Sequence, residues 1–201
     1  MFTDSHTHLY LEEFDNDLEI VINDALKHKV SRFFLPNIDL KTLPQLISVH
    51  KKYKNLVFPM IGLHPCSVSE EYLKDLEKLH EYIEKFPFVA IGEVGIDLYW
   101  ETNMVNEQTI AFQTQINWAK IHKLPLIIHS RNSFDEIYTI MKQEDVSNIT
   151  GIFHCFSGNY EQAMKIIDMG FYLGIGGVLT FKNSTIRDVI KKIDLKHLVL
   201  E

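Results

Sequence analysis

The stretch Val89-Ala-Ile-Gly-Glu-Val-Gly-Ile-Asp97 runs from an apolar segment into a carboxylate and closes on a second one. Its first half, Val89–Glu93, is short and lacks the alternation of a half-wet strand. It reads as a strand covered on both faces. The same signature recurs at Phe2–Thr7, Arg32–Pro36, Leu56–Gly62, Pro125–His129, Gly151–Phe156, Phe171–Gly176 and His197–Glu201. Between these runs the apolar residues follow the 3.6 period: Phe14, Leu18, Val21, Ala25; then Leu43, Leu46, Ile47; then Leu76, Leu79, Ile83. Later helices carry Phe112, Ile116, Ala119; Phe134, Ile137, Met141; Tyr160, Met164, Ile167; and Ile186, Val189, Ile193. Ser133 with Glu136 predicts a capping box, Ser184 a cap for the last helix and Gly170 a helix stop.

Eight strands alternating with seven helices imply a parallel sheet with right-handed crossovers. An open doubly wound sheet and a closed (β/α)8 barrel both fit that alternation. The barrel is favoured by near-equal units and by the lack of a Gly-rich phosphate loop after strand 1. Gly174-x-Gly176-Gly177 follows strand 7, the wrong place for a dinucleotide fingerprint, and marks close packing or close ligand approach. The sequence stops on strand 8 without a helix to cover it, which predicts an unprotected edge.

The 201 residues are 46% hydrophobic and 23% charged, with no linker or low-complexity tract, and are expected to form one domain over 1–201. Twenty basic residues against 27 acidic give a net charge of −7, so a broad basic surface for duplex DNA is excluded. Phosphate recognition must be local, through metal ions or a few placed cations. Two cysteines, Cys66 and Cys155, do not make a disulfide framework. No secretory leader or 18-residue apolar span is visible, so a cytoplasmic protein, monomeric and without a membrane, is expected.

In a barrel of this kind, chemistry gathers where strands end. Those ends carry His6 and His8, Asn37, His64, Glu93 with Asp97, His129 with Arg131, His154 and finally Glu201. His6 and His8 are two apart, so an extended chain aims both imidazoles at one point. Ile91-Gly-Glu93, Ile127-Ile-His129 and Ile152-Phe-His154 each finish an apolar run in a metal-ligating side chain. One such ending is ordinary in a core; five groups at matching positions of one mouth predict a metal site of His6, His8, Glu93, His129 and His154. His28, His50, His80, His122 and His197 fall elsewhere and read as solvated or structural.

Together, Asp4-Ser-His6-Thr-His8, "GLHP" ending at Pro65, "IGEVGID", "IIHSR", "FHCFSG" and the closing "LVLE" resemble the TatD family of metal-dependent deoxyribonucleases, within the amidohydrolase-like metallohydrolases. The resemblance runs from Met1 to Glu201. It implies a TIM barrel, two divalent metal ions (Mg, Mn or Zn) and hydrolysis of DNA phosphodiesters, commonly 3′-to-5′ on single strands. By position it makes His6, His8, Glu93, His129 and His154 the metal ligands, Glu93 bridging, and associates His64 with substrate phosphate and catalysis. The family's strand 8 motif is Glu-Thr-Asp, its Asp a ligand that steers the attacking water. Here the sequence stops at Glu201, which we read as an incomplete C-terminal segment. Were Glu201 the last residue of the whole molecule, weaker metal binding and little turnover would be expected.

Phosphodiester hydrolysis at neutral pH needs an activated water and compensation for charge on the phosphoryl oxygens, which paired cations supply. Four histidines favour zinc, manganese or iron over magnesium, while the resemblance implies magnesium or manganese. Arg131 reads equally as a bidentate phosphate contact or a surface ion pair, and Lys182 as a weaker substrate contact. Asp97 reads as a support for a metal-binding histidine or as a turn cap. Tyr99-Trp100 reads first as loop anchoring, with a stacking surface for an unpaired base as the other reading. Cys155 reads as a buried structural thiol. Two further functions fit the same residues: a hydrolase of another ester, lactone or amide, against which Glu93 stands where many such barrels carry a carboxylated lysine, and a noncatalytic metal or nucleic-acid binder.

Overall fold

Every strand pairing is parallel, as the alternation requires. The computed structural model describes residues 1–201. Its strands are β1 (Phe2–Asp4), β2 (Val30–Leu35), β3 (Val57–Pro59), β4 (Ile91–Asp97), β5 (Leu126–Arg131), β6 (Gly151–Phe153), β7 (Tyr172–Ile175) and β8 (Leu198–Leu200). The α-helices between them are α1 (Leu18–Lys27), α2 (Leu43–Lys52), α3 (Tyr72–Ile83), α4 (Val105–His122), α5 (Phe134–Gln143), α6 (Tyr160–Asp168) and α7 (Ile186–Ile190). None is long and apolar enough to cross a membrane.

The ladders form two runs, β1-β2-β3 and β4-β5-β6-β7-β8. Two sparse seams join them into a closed cylinder. At one, the Gly92 N–H donates to the Ile61 carbonyl at 2.8 Å and the Ile61 N–H to Ala90 at 3.1 Å. At the other, the Ser5 backbone N–H and hydroxyl both donate to the Leu200 carbonyl, at 3.0 and 2.9 Å. The expected bare edge on β8 is therefore corrected: Ser5 occupies it, and closure removes the liability. The result is the (β/α)8 barrel expected from the sequence.

Strand alternation divides the apolar residues between two compartments. Leu126, Ile128, Phe153, Leu173 and Ile175 join the main core between barrel and helices. Met60, Ala90 and Ile127, flanked by Phe34 and Ile152, form a separate cluster inside the cylinder. Two residues beyond the inward Ile127 and Ile152 come His129 and His154, so the same alternation that seats an apolar layer delivers imidazoles to the layer above.

Several local expectations change. β1 stops at Asp4, before His6 and His8. Helix α5 has no side-chain cap from Ser133, whose hydroxyl instead donates to the Ile96 carbonyl at 2.5 Å. A capping box does form, between Asn159 and Gln162 at α6. Thr185 rather than Ser184 precedes α7, again without a side-chain cap. Gly170, at φ +83°, follows α6 as a stop residue should.

Candidate metal centre

Glu93 reaches the cylinder's interior by an irregularity. Ile91 faces the outer core, and strict alternation would send Glu93 out with it. The register shifts between Ile91 and Val94, after which Val94 and Ile96 point outward and Glu93 and Asp97 turn in. Asn37, fully buried after β2, locks this turn: its N–H donates to Gly92 O and its carbonyl accepts the Glu93 N–H, both at 3.1 Å. Its amide also donates to Gly62 O at 2.9 Å.

Five imidazoles converge on this one buried carboxylate. Glu93 Oε2 lies 3.1 Å from His6 Nε2 and 3.5 Å from His8 Nε2. Oε1 lies 2.9 Å from His129 Nδ1 and 3.4 Å from both His64 Nε2 and His154 Nε2. Burial alone would raise the Glu93 carboxyl; the surrounding imidazoles, His6 and His154 foremost and then His129, hold it well below the usual carboxylate range. Burial lowers His6 despite Glu93. At His154 burial also pulls down, but Glu93 and Glu201 outweigh it and raise the ring. Asp4, whose Oδ1 accepts the His6 N–H at 3.1 Å, is pushed by burial up to about 6.

The ring nitrogens are assigned by their outer partners. Tyr10 donates its hydroxyl proton to the Pro36 carbonyl at 2.6 Å, so its oxygen accepts from His8 Nδ1–H at 3.0 Å and leaves His8 Nε2 a bare lone pair. Asp97 Oδ2 accepts from His129 Nε2–H at 2.8 Å, leaving Nδ1 turned to Glu93. Glu201 Oε2 accepts the Cys155 N–H at 2.8 Å and stands 3.3 Å from His154 Nδ1, close enough to share a cation with it. His64 is the opposite case. Its Nδ1 accepts the Cys66 N–H at 3.1 Å, so the proton of the neutral ring sits on Nε2 and faces inward as a donor.

These residues fit a metal. His6 Nε2 and His8 Nε2 approach to 3.3 Å, and the His6 and His154 rings stack at 3.5 Å between centroids. Lone pairs so crowded around one carboxylate repel one another without a cation between them. Buried His6 Nδ1, His154 Nδ1 and Glu201 Oε1 have no hydrogen-bond partner. Ligand atoms within 4.8 Å of one another occur in three trios: His6-His8-Glu93, His6-His154-Glu201 and His64-Glu93-His129.

The remaining sequence candidates separate. Arg131, at the end of β5, is exposed and places its guanidinium 4.9 Å above the Tyr99 ring, not in an ion pair. Lys182 is exposed on the β7–α7 connection and shares no contact with the cluster. Cys66 reaches solvent, yet burial of its thiol and the neighbouring Asp97 charge push it up to about 12, so it stays protonated. Tyr10, Asn37 and Glu201 were not singled out as site supports. The signals were present: Tyr10 extends the spacing of His6 and His8, Asn37 ends a strand, and Glu201 follows inward-facing Val199 by two. A cleft of about 400 Å³ opens beside His154, lined by Asn132, Phe134, Phe156 and Ser157 among others.

The family model described as TatD related DNase matches residues 3–201. The chain belongs to the TatD family. It is 36% identical over 202 residues to the uncharacterized metal-dependent hydrolase YabD of Bacillus subtilis, matching 100% of this chain and 79% of that protein. The crystal structure of YjjV, a TatD homologue from Escherichia coli K12, superimposes with a TM-score of 0.92 at 30% identity, covering 100% of this chain and 78% of that one. A TatD family hydrolase from Entamoeba histolytica shares the fold, with a TM-score of 0.86 at 24% identity over 100% of this chain and 72% of its own. This TatD chain is thus a metal-dependent hydrolase whose His and Glu groups are arranged to hold metal.

Proposed function

We propose that this TatD protein hydrolyses DNA phosphodiester bonds at a two-metal site, shortening single strands from the 3′ end. The observation that carries the reading is the convergence of five imidazoles on buried Glu93. His6 and His8 would hold one divalent cation and His129 and His154 the other, Glu93 bridging the two; Mg, Mn and Zn are the candidates, with borderline ions favoured by the imidazoles. Bound there, the cations supply charge compensation for the phosphoryl oxygens and acidify water.

The chain's own residues supply the rest. Tyr10 and Asp97 fix which nitrogen His8 and His129 present, so this part of the site is organised before substrate arrives. His64 offers its Nε2 proton toward the centre and would donate it to a phosphate oxygen or the leaving oxygen. Arg131, rather than Lys182, is the cation we place on the substrate strand: Tyr99 covers one face of its guanidinium, and the N–H edges stay available for bidentate contact with phosphate.

The test is metal analysis of the purified protein combined with a 3′- or 5′-end-labelled oligonucleotide assay of wild type and Glu93→Ala. Metal-dependent shortening from the 3′ end, abolished by chelator and reduced at least ~100-fold in Glu93→Ala, is expected. DNA left intact with every candidate metal, or equal cleavage by the variant, overturns the reading.

A further inference from the structure

Beyond β4 the chain exposes two large aromatics on the rim of the metal centre. Trp100 is 70% exposed and Tyr99 52% exposed, whereas Trp118 on α4 is 5% exposed. Loop anchoring, the ordinary role for such residues, would have buried them. An aromatic ring left in water forgoes a substantial hydrophobic gain, so a pair beside a catalytic mouth calls for a ligand that covers it.

The pair is also held still. Asp97 Oδ1 accepts the Tyr99 N–H at 2.8 Å and the Trp100 N–H at 2.6 Å, while Oδ2 of the same carboxylate accepts from His129. Gln108 ties both ends of the loop to α4: its carbonyl accepts the Asp97 N–H and its amide donates to Glu101 O, each at 2.8 Å. The two rings meet edge to face, with centroids 4.7 Å apart. Arg131 lies over the Tyr99 ring. One carboxylate thus registers an aromatic surface, with a guanidinium over its Tyr99 ring, against a histidine of the metal cluster.

We propose that Trp100, steadied by Tyr99, is a platform on which an unpaired nucleobase of the substrate strand stacks while Arg131 takes its adjoining phosphate. The chemistry that fits is a flat, neutral π-face tethered to an anion: the aromatic face recognises any base, and the guanidinium the backbone. A paired base has both faces stacked within the duplex, so the platform selects single strands by what they expose. This rests on the deoxyribonuclease reading for its ligand class but not for its measurement.

The experiment uses tryptophan fluorescence, since Trp100 is exposed and Trp118 buried. With chelator present to keep the strand intact, a short oligothymidylate is titrated into the protein beside an abasic strand of equal length and charge. Saturable quenching by the oligothymidylate alone is expected. In Trp100→Ala, binding of the labelled oligothymidylate followed by anisotropy should weaken roughly tenfold, while the abasic strand binds both proteins alike. Equal quenching by both strands, or unchanged affinity in Trp100→Ala, overturns the platform. Base-dependent quenching without DNA cleavage in any metal would leave the platform standing and remove the nuclease reading; cleavage with equal affinity for both strands would do the reverse.

Discussion

At the scale of single residues, the centre is governed by which nitrogen each imidazole presents. Asp97 decides this for His129 and simultaneously holds the Tyr99 and Trp100 N–H groups. Burial alone would raise its carboxyl; the Trp100 N–H, His129 and the Tyr99 N–H hold it below the usual range. Asp97→Asn keeps an acceptor in place but removes the charge that fixes the ring. We expect metal affinity, measured by chelator competition, to fall about 10- to 100-fold with the thermal midpoint nearly unchanged. Unchanged affinity would reduce Asp97 to a turn cap. The converging side chains themselves were legible from sequence, because His-x-His spacing and polar endings on apolar strands are local signals. Their supports were not: Tyr10 answers Pro36, Asn37 answers Gly62 and, across a seam of the barrel, Glu93, and Glu201 answers the Cys155 N–H, partners distant in sequence that only the assembled sheet brings together.

At the scale of elements, the decisive one is β4. The polar ending of the strand marks Glu93 for the mouth, but the register shift that turns it inward after outward-facing Ile91 leaves no trace in a strict two-residue alternation. Gly92 and Gly95, on either side of Glu93, were the available hint. Gly95 sits at φ +143°, and a methyl group there would overlap the His129 carbonyl oxygen. Gly95→Ala therefore combines a disfavoured backbone conformation with a backbone clash across the β4–β5 ladder. We expect a loss of more than about 3 kcal/mol in denaturant unfolding, or failure to accumulate folded protein. A variant as stable as wild type would show that β4 and β5 can separate locally at no cost. Helix ends were less legible than strands for a related reason. Ser133 reads as a cap, but the buried Ile96 carbonyl across the barrel wall takes its hydroxyl instead.

At the scale of the whole molecule, the barrel sets a local cluster of metal-ligating groups on an acidic body. The net charge of −7 offers DNA no diffuse attraction, so on the proposed reading affinity for a strand would come from the metal centre, Arg131 and the exposed aromatics. Release of counterions by side chains contributes a log–log salt slope of about −0.7 per neutralised phosphate on single strands. With Arg131 as the one side-chain cation placed on phosphate, kcat/KM for an oligonucleotide at saturating metal should fall with salt at a slope no steeper than about −1.5. Arg131→Ala should flatten it by roughly 0.7, whereas Trp100→Ala should lower kcat/KM without changing the slope, because stacking carries no counterion term. A wild-type slope steeper than about −3 would demand several further cations on the DNA and would contradict an acidic barrel that recognises its substrate at one mouth.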